Sequence, residues 1–148
     1  FPGRVDLQKI NHKYFIFDGA HNPQKMTALI KSIKLFLPDQ KFTFLLAFKQ
    51  RKDFAKMIKM IIPIADQIIL TKFKVISQDM IQLSQSNLTL NQVFSSLNFS
   101  NFKYIADISK AFDYVKKTNT PVVVTGSLYL LGEIYPLIKS FKSSDIHH

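Results

Sequence analysis

The chain has 148 residues, enough for one domain with a sizeable core, and 47% of them are hydrophobic, which argues against disorder. Cysteine is absent, so disulfides and thiolate zinc sites are excluded, and no apolar run is long enough to span a bilayer. A net charge of +10 could serve nucleic acid, anionic lipid or small anions, but the lysines are scattered, as at Lys31 and Lys34 or Lys56 and Lys59, with no dense basic run or interleaved aromatics, and they read as a solvated surface.

In chain order, Pro2-Gly3-Arg4 reads as a turn or linker. Val5–Leu7 and His12–Phe17 read as strands that the polar Lys9–Asn11 allows to pair antiparallel. The second strand empties into Asp18-Gly19-Ala20-His21-Asn22-Pro23, a polar turn in which Asn22 is a good N-cap and Pro23 suits the first helical position. Gln24–Leu37 follows as a helix, with Met26, Leu29, Ile30, Ile33 and Leu35-Phe36 holding the helical period roughly, and Pro38 stops it. Lys41–Ala47 is a near-continuous apolar strand of the kind covered on both faces. After the loop Phe48–Lys52, Asp53 caps a helix to about Ile62, which Pro63 ends. Gln67–Thr71 is a strand, Ser77–Met80 looks like a helix start running to about Leu83, and Leu90–Leu97 reads as a helix capped by Asn91. Phe102–Ile105 is a strand, Asp107 caps a helix to about Thr118, and Pro121–Thr125 is a buried strand of three valines. Leu128–Phe141 is the last helix, and residues 141–148 are expected to be a frayed tail.

Strands alternating with helices imply crossover connections and parallel pairing. The expected fold is therefore α/β, a Rossmann-like three-layer sandwich whose mostly parallel sheet has one antiparallel strand near the N-terminus, spanning residues 1–148 as one domain. In such sheets ligands bind beyond the carboxyl ends of the strands, where Asp18–Pro23 and Thr125–Ser127 both fall. The four glycines, Gly3, Gly19, Gly126 and Gly132, all lie in Pro2–Arg4, Asp18–Pro23 or Thr125–Glu133, although average usage would give roughly ten spread along the chain.

Each chemical candidate has a plain structural alternative. Asp18 at a strand end can accept from a ribose hydroxyl or bind an ammonium, or it can cap its own loop. The imidazole of His21 can donate to a carboxylate or simply face solvent, and Arg4 offers a two-pronged fork for phosphate or carboxylate or is a surface arginine. Ser127 can offer its hydroxyl beside a helix N-terminus to a carboxylate, act as an ordinary N-cap, or do both. No glycine stands two residues after Ser127, which excludes a hydrolase nucleophile elbow.

Asp18–Pro23 resembles the signature of the C-terminal domain of folylpolyglutamate and dihydrofolate synthases, in the Mur ligase superfamily. Pro2-Gly3-Arg4 is similar to the segment with which that domain begins, and Thr125-Gly126-Ser127-Leu128-Tyr129-Leu130-Leu131-Gly132-Glu133 to one near its end, so the resemblance covers nearly the whole chain. It implies an ATP-dependent ligase that phosphorylates a carboxylate and lets the amine of L-glutamate displace the phosphate, extending folate, dihydropteroate or both. It further implies nucleotide contacts from Arg4 and Asp18, glutamate contacts from His21 and Ser127, and no catalytic or metal-ligating residue in this domain. No Gly-x-x-x-x-Gly-Lys-Ser/Thr occurs in the chain, so the phosphate loop and Mg2+ are expected in a preceding ATPase domain, with which ATP would be shared. A start at Phe1, with no signal peptide, suits a fragment of a longer cytoplasmic protein with no membrane or nucleic-acid partner. The sequence departs from the family where Arg51 replaces an acid before Lys52-Asp53, and where the loop after the third core strand offers Lys72 and Lys74 rather than arginine. Rival readings are a cell-wall Mur-type amino-acid ligase and a non-catalytic α/β anion-binding module.

Overall fold

The structure is a computed structural model that describes residues 5–49, 53–72, 74–76, 81–83 and 87–146. Its main sheet contains β1 (Asp6–Ile10), β2 (Lys13–Phe17), β3 (Phe42–Leu46), β4 (Ala65–Leu70), β7 (Phe102–Tyr104) and β8 (Val122–Thr125), in the spatial order β1-β2-β8-β3-β4-β7. Every neighbour pair is parallel except β1 with β2. The helices are α1 (Pro23–Phe36), α2 (Phe54–Ile61), α3 (Asn87–Ser96), α4 (Ile108–Lys116) and α5 (Leu128–Ile146). The expected α/β sandwich and its antiparallel N-terminal strand are both present.

Side chains alternate between the two faces of the strands, and each face packs its own set of helices. Ile16, Phe42, Phe44, Leu46, Ile68, Leu70 and Val123 pack with α1, α2 and α3 through Met26, Leu29, Ile33, Met57, Ile58, Ile61 and Phe94. Phe15, Phe17, Leu45, Ile69, Val122 and Val124 pack with α4 and α5 through Phe112, Val115, Leu130, Ile134 and Ile138. The apolar runs of β3 and β8 are buried at every position because these strands occupy the centre and are covered on both sides. The central polar residue Thr43 is fully buried, and its hydroxyl is satisfied by those of Thr118 and Thr120 at 3.1 and 2.7 Å.

Several local expectations change. The first hairpin turns on Asn11 and His12, with φ of 52° and 65°, so Lys9 and Ile10 belong to β1. Two left-handed residues match the twist of a two-residue hairpin, a role that asparagine tolerates well. Leu35 and Phe36 are exposed rather than inward, since Met26, Leu29 and Ile33 already supply the buried stripe of α1. Asp53 precedes α2 but makes no capping hydrogen bond, whereas Asn22 and Asp107 do cap, accepting from the N–H groups of Lys25 and Lys110 at 2.8 and 3.0 Å. Ile81–Leu83 is a strand, β6, paired antiparallel with β5 (Lys74–Ile76), not a helix; Ser77–Met80 lies outside the described residues. Asn91 lies inside α3, which begins at Asn87. The tail expected to fray from residue 141 is helical through Ile146.

Lys13 begins β2 and reaches the carboxyl end of α4. Its Nζ donates to the carbonyls of Val115 and Thr118, both at 2.6 Å, and to Thr118 Oγ1 at 2.8 Å. Cations suit the unsatisfied carbonyls of a helix end, but burial pushes this ammonium down from 10.5 to about 8. Between those values the unfolded chain holds a proton that the folded chain has released, so this group's contribution to stability rises with pH across that window and is flat outside it. Urea unfolding at stepped pH is expected to show the wild type gaining on Lys13→Met from pH 8 to 10.5. A difference that instead shrinks over that range refutes desolvation as the controlling effect.

Candidate functional site

The site is built where β2, β8 and β3 end side by side. The first loop leaves β2 with the Asp18 N–H donating to the Val124 carbonyl at 3.1 Å, which carries the β2–β8 pairing one residue past the strand. The chain then turns because Asp18 Oδ1 accepts the Ala20 N–H at 2.8 Å. The Val5 N–H also bonds this carboxylate, tying the entry to β1 to the same turn. Burial raises the Asp18 pKa above its ordinary 3.8, and the N–H groups of Ala20 and Val5 and the Lys25 charge oppose that rise without cancelling it. The loop-capping role weighed for Asp18 is therefore realised, with acceptor capacity left for a ligand.

His21 Nδ1 lies 2.9 Å from the carbonyl of Gly19, two residues before it. A carbonyl only accepts, so Nδ1 carries the hydrogen and Nε2 is the nitrogen left for a ligand; in the neutral ring it offers a lone pair, and it donates to a carboxylate only as the imidazolium. Asn22 and Pro23 then start α1 as the sequence indicates.

The second loop leaves β8 through Gly126, whose φ of +107° suits glycine. A Cβ built there would stand 2.6 Å from the Ala47 carbonyl oxygen at the end of β3. Glycine is required here both by backbone angle and by close approach. Ser127 is only 2% exposed and opens α5, its Oγ accepting the Tyr129 N–H at 3.0 Å. The hydroxyl hydrogen remains a donor. The two loops are joined by the Ala20 carbonyl, which accepts from the Gly126 N–H at 3.0 Å and from Thr125 Oγ1 at 3.4 Å.

The helices after β2 and β8 pack on opposite faces of the sheet, since α1 lies with α2 and α5 with α4. Adjacent strands whose connections leave to opposite faces open a crevice between their carboxyl ends. A cleft of about 280 Å³ sits there, lined by His21, Lys49, Gly126, Ser127, Leu128 and Tyr129. Among the described residues its lining offers an imidazole, an ammonium, a hydroxyl and a helix N-terminus, and no carboxylate.

His21 and Ser127 are thus brought together in one cleft. Asp18 stands at the same end of the sheet but is not among the lining residues, and Arg4 lies outside the described residues. Of the two atypical loops, Lys72 is exposed, and residues 50–52 and the side chain of Lys74 lie outside the described region. Sequence reasoning did not single out Lys49 or Tyr129. The one signal for Lys49 was its place in the loop directly after the most apolar core strand. Among the described residues no group of three or more His, Cys, Asp or Glu could hold a metal, and no helix is long and apolar enough to cross a membrane.

A doubly wound α/β domain with a cleft at its switch point has the form in which such sheets hold small ligands. The sequence pattern of the dihydrofolate synthetase C-terminal domain matches residues 4–137, and the chain belongs to that family. The probable dihydrofolate synthetase of Schizosaccharomyces pombe is 30% identical over 146 residues, covering 94% of this chain and 34% of that protein. The folylpolyglutamate synthase of Thermotoga maritima superposes with a TM-score of 0.77 at 26% identity, over 94% of this chain and 31% of that one. A bifunctional folylpolyglutamate synthase/dihydrofolate synthase solved with Mn, AMPPNP and L-glutamate bound shares the fold, with a TM-score of 0.70 at 17% identity, over 94% and 32%. The chain therefore spans about a third of the length of these relatives, and they place it in the folate branch rather than the cell-wall branch.

Proposed function

We propose that this chain is the C-terminal domain of an ATP-dependent ligase that adds L-glutamate to folate, to dihydropteroate or to both. The observation that carries the reading is the convergence of His21 and Ser127, from loops about a hundred residues apart, on one cleft that has no carboxylate among its described lining residues. Such a lining suits the carboxylates of an amino acid. In this reading Asp18 and Arg4 meet the nucleotide, His21 and Ser127 hold glutamate, and ATP and Mg2+ are bound mainly by a preceding domain with a phosphate loop.

The chemistry asked of this chain is positioning. Once the acceptor carboxylate is an acyl phosphate, the glutamate amine attacks its carbonyl carbon, the C–O bond to phosphate breaks, and the amine proton is lost to solvent. Holding the amine at the carbonyl converts an encounter into an oriented attack. His21 and Ser127 do this by fixing the carboxylate side of glutamate, and closure of the domain brings them to the acyl phosphate.

The test compares the 148-residue chain with the longer polypeptide. The longer protein is expected to release phosphate from ATP only when both glutamate and a folate or pteroate acceptor are present. The chain alone is expected to release none above a matched buffer control. Phosphate release by tag-free 148-residue material, suppressed by substitutions at Asp18 and His21, overturns the division of labour.

A further inference from the structure

We propose that Tyr135 is a positioning residue for the nucleotide half of the site: it clamps the last rung of the β1–β2 hairpin and so holds the Asp18 carboxylate in place. The proposal rests on the reading above in which Asp18 meets the nucleotide, and adds to it the residue that sets where Asp18 stands.

The antiparallel pair of the main sheet carries the first part. β1 runs against β2, so the chain enters β1 at the end of the sheet where β2 finishes and its ligand loop begins. Asp6 and Phe17 are the last paired residues at that end. Val5 and Asp18 stand one step beyond them, and the Val5 N–H bonds the Asp18 carboxylate. Whatever fixes the Asp6–Phe17 rung therefore steadies the pair that follows it.

Tyr135 of α5 holds both members of that rung. Its hydroxyl donates to Asp6 Oδ2 at 2.8 Å, where Gln8 Nε2 also donates at 2.9 Å. Its ring packs on that of Phe17, with centroids 5.3 Å apart. A hydroxyl bonded to a carboxylate is a charge-assisted contact, stronger than a neutral one. It joins residues 129 apart in sequence, so the helix that follows Ser127 is tied to the strand entry that steadies Asp18. Tyr135 is not among the described residues that line the cleft, so its effect on a ligand passes through Asp6 and Val5.

His21 and Ser127 are held by other bonds, to Gly19 and Tyr129, and the Ala20 carbonyl joins their loops. Loss of the Tyr135 hydroxyl should therefore reach ATP and spare glutamate. It should also change a titration. The Val5 N–H favours the ionised form of Asp18, as do the Ala20 N–H and the charge of Lys25, the one charged group set against Asp18 among the described residues. Loosening Val5 raises the pH at which Asp18 takes up its proton.

The experiment is steady-state kinetics across pH on the full ligase polypeptide, with ATP and glutamate varied in turn. Tyr135→Phe keeps the ring on Phe17 and removes only the hydroxyl. It is expected to raise KM for ATP roughly three- to ten-fold, leave kcat and KM for glutamate within about two-fold, and move the acid limb of kcat/KM for ATP to higher pH. Asp6→Ala should do the same, and the double variant should match Asp6→Ala alone, because both changes remove one shared interaction. Additive effects of the two changes overturn the proposal while the Asp18 reading stands, as does a Tyr135→Phe variant with KM for ATP and acid limb unchanged. A KM rise shared equally by both substrates also overturns it, since a role in the fold alone acts that way. If Asp18→Ala keeps the wild-type KM for ATP, the nucleotide reading fails and the proposal with it.

Discussion

Gly126→Ala is expected to cost the fold about 3 kcal/mol or more. Two independent penalties combine. The backbone at φ +107° is one that L side chains rarely adopt. The new Cβ would also meet the Ala47 carbonyl oxygen at 2.6 Å and Phe48 Cε1 at 3.2 Å. A side-chain tip could swing away, but the Ala47 carbonyl belongs to the backbone directly following a central strand buried along its whole length. Relief would have to come from moving the β8–α5 loop, which breaks the Gly126 N–H bond to the Ala20 carbonyl and shifts Ser127 with it. For a domain of this size each kcal/mol lowers Tm by about 2–4 °C, so a drop of roughly 6–12 °C is expected. A variant melting within about 2 °C of the wild type would show that the close approach at Ala47 is relieved without cost. Gly132, which has nothing near its would-be Cβ, provides the control: Gly132→Ala should be tolerated or mildly stabilising within α5.

The second large effect separates the two substrates of the proposed ligase. In the full polypeptide His21→Ala should chiefly raise KM for glutamate, and Asp18→Ala should chiefly raise KM for ATP. Carboxylates want donors, which Ser127 and the imidazolium form of His21 supply, whereas a ribose offers hydroxyl donors that want an acceptor such as Asp18. Losing one hydrogen bond to a charged group costs about 1.5–3 kcal/mol, or roughly ten- to a hundred-fold in the affected parameter. The two variants should also differ in stability. His21 contributes one bond to Gly19, while Asp18 holds both Ala20 and Val5 through their N–H groups, so Asp18→Ala should melt lower. Because burial raises the Asp18 pKa, ATP affinity should fall on acidification from a higher pH than an ordinary carboxylate near 3.8 would give. A glutamate dependence untouched in His21→Ala would refute the assignment.

Much of this could be read from residue patterns because the physics is local or periodic. The unbroken apolar runs Phe42–Leu46 and Val122–Thr125 announce strands covered on both faces, and Asn22-Pro23 and Asp107 announce helix starts. Ile81–Leu83 reads as the end of a helix although it is β6, and Lys74–Ile76 carries no strand signal, because three residues are too few for period two to be told from a helical turn. The end of α5 was misread because Ser143, Ser144 and Asp145 carry no apolar period, although the helix continues through them. His21 and Ser127 were found through strand-end motifs. Lys49 was not, because one cation among 20 Lys and Arg is anonymous until the fold sets the end of β3 beside the end of β8. Strand order is a long-range property, and no stretch of ten residues encodes it.

The single carbonyl of Ala20 accepts from the loop that follows β8 while belonging to the loop that follows β2. That stitch makes the two halves of the cleft one rigid jaw. His21 and Ser127 cannot approach a ligand separately, so their spacing is set when the protein folds rather than when a ligand arrives. In the proposed ligase, gripping would be left to travel of the whole domain, with both residues arriving in the same stroke. A substitution that loosens the stitch would then blur ligand placement even while the domain still closes.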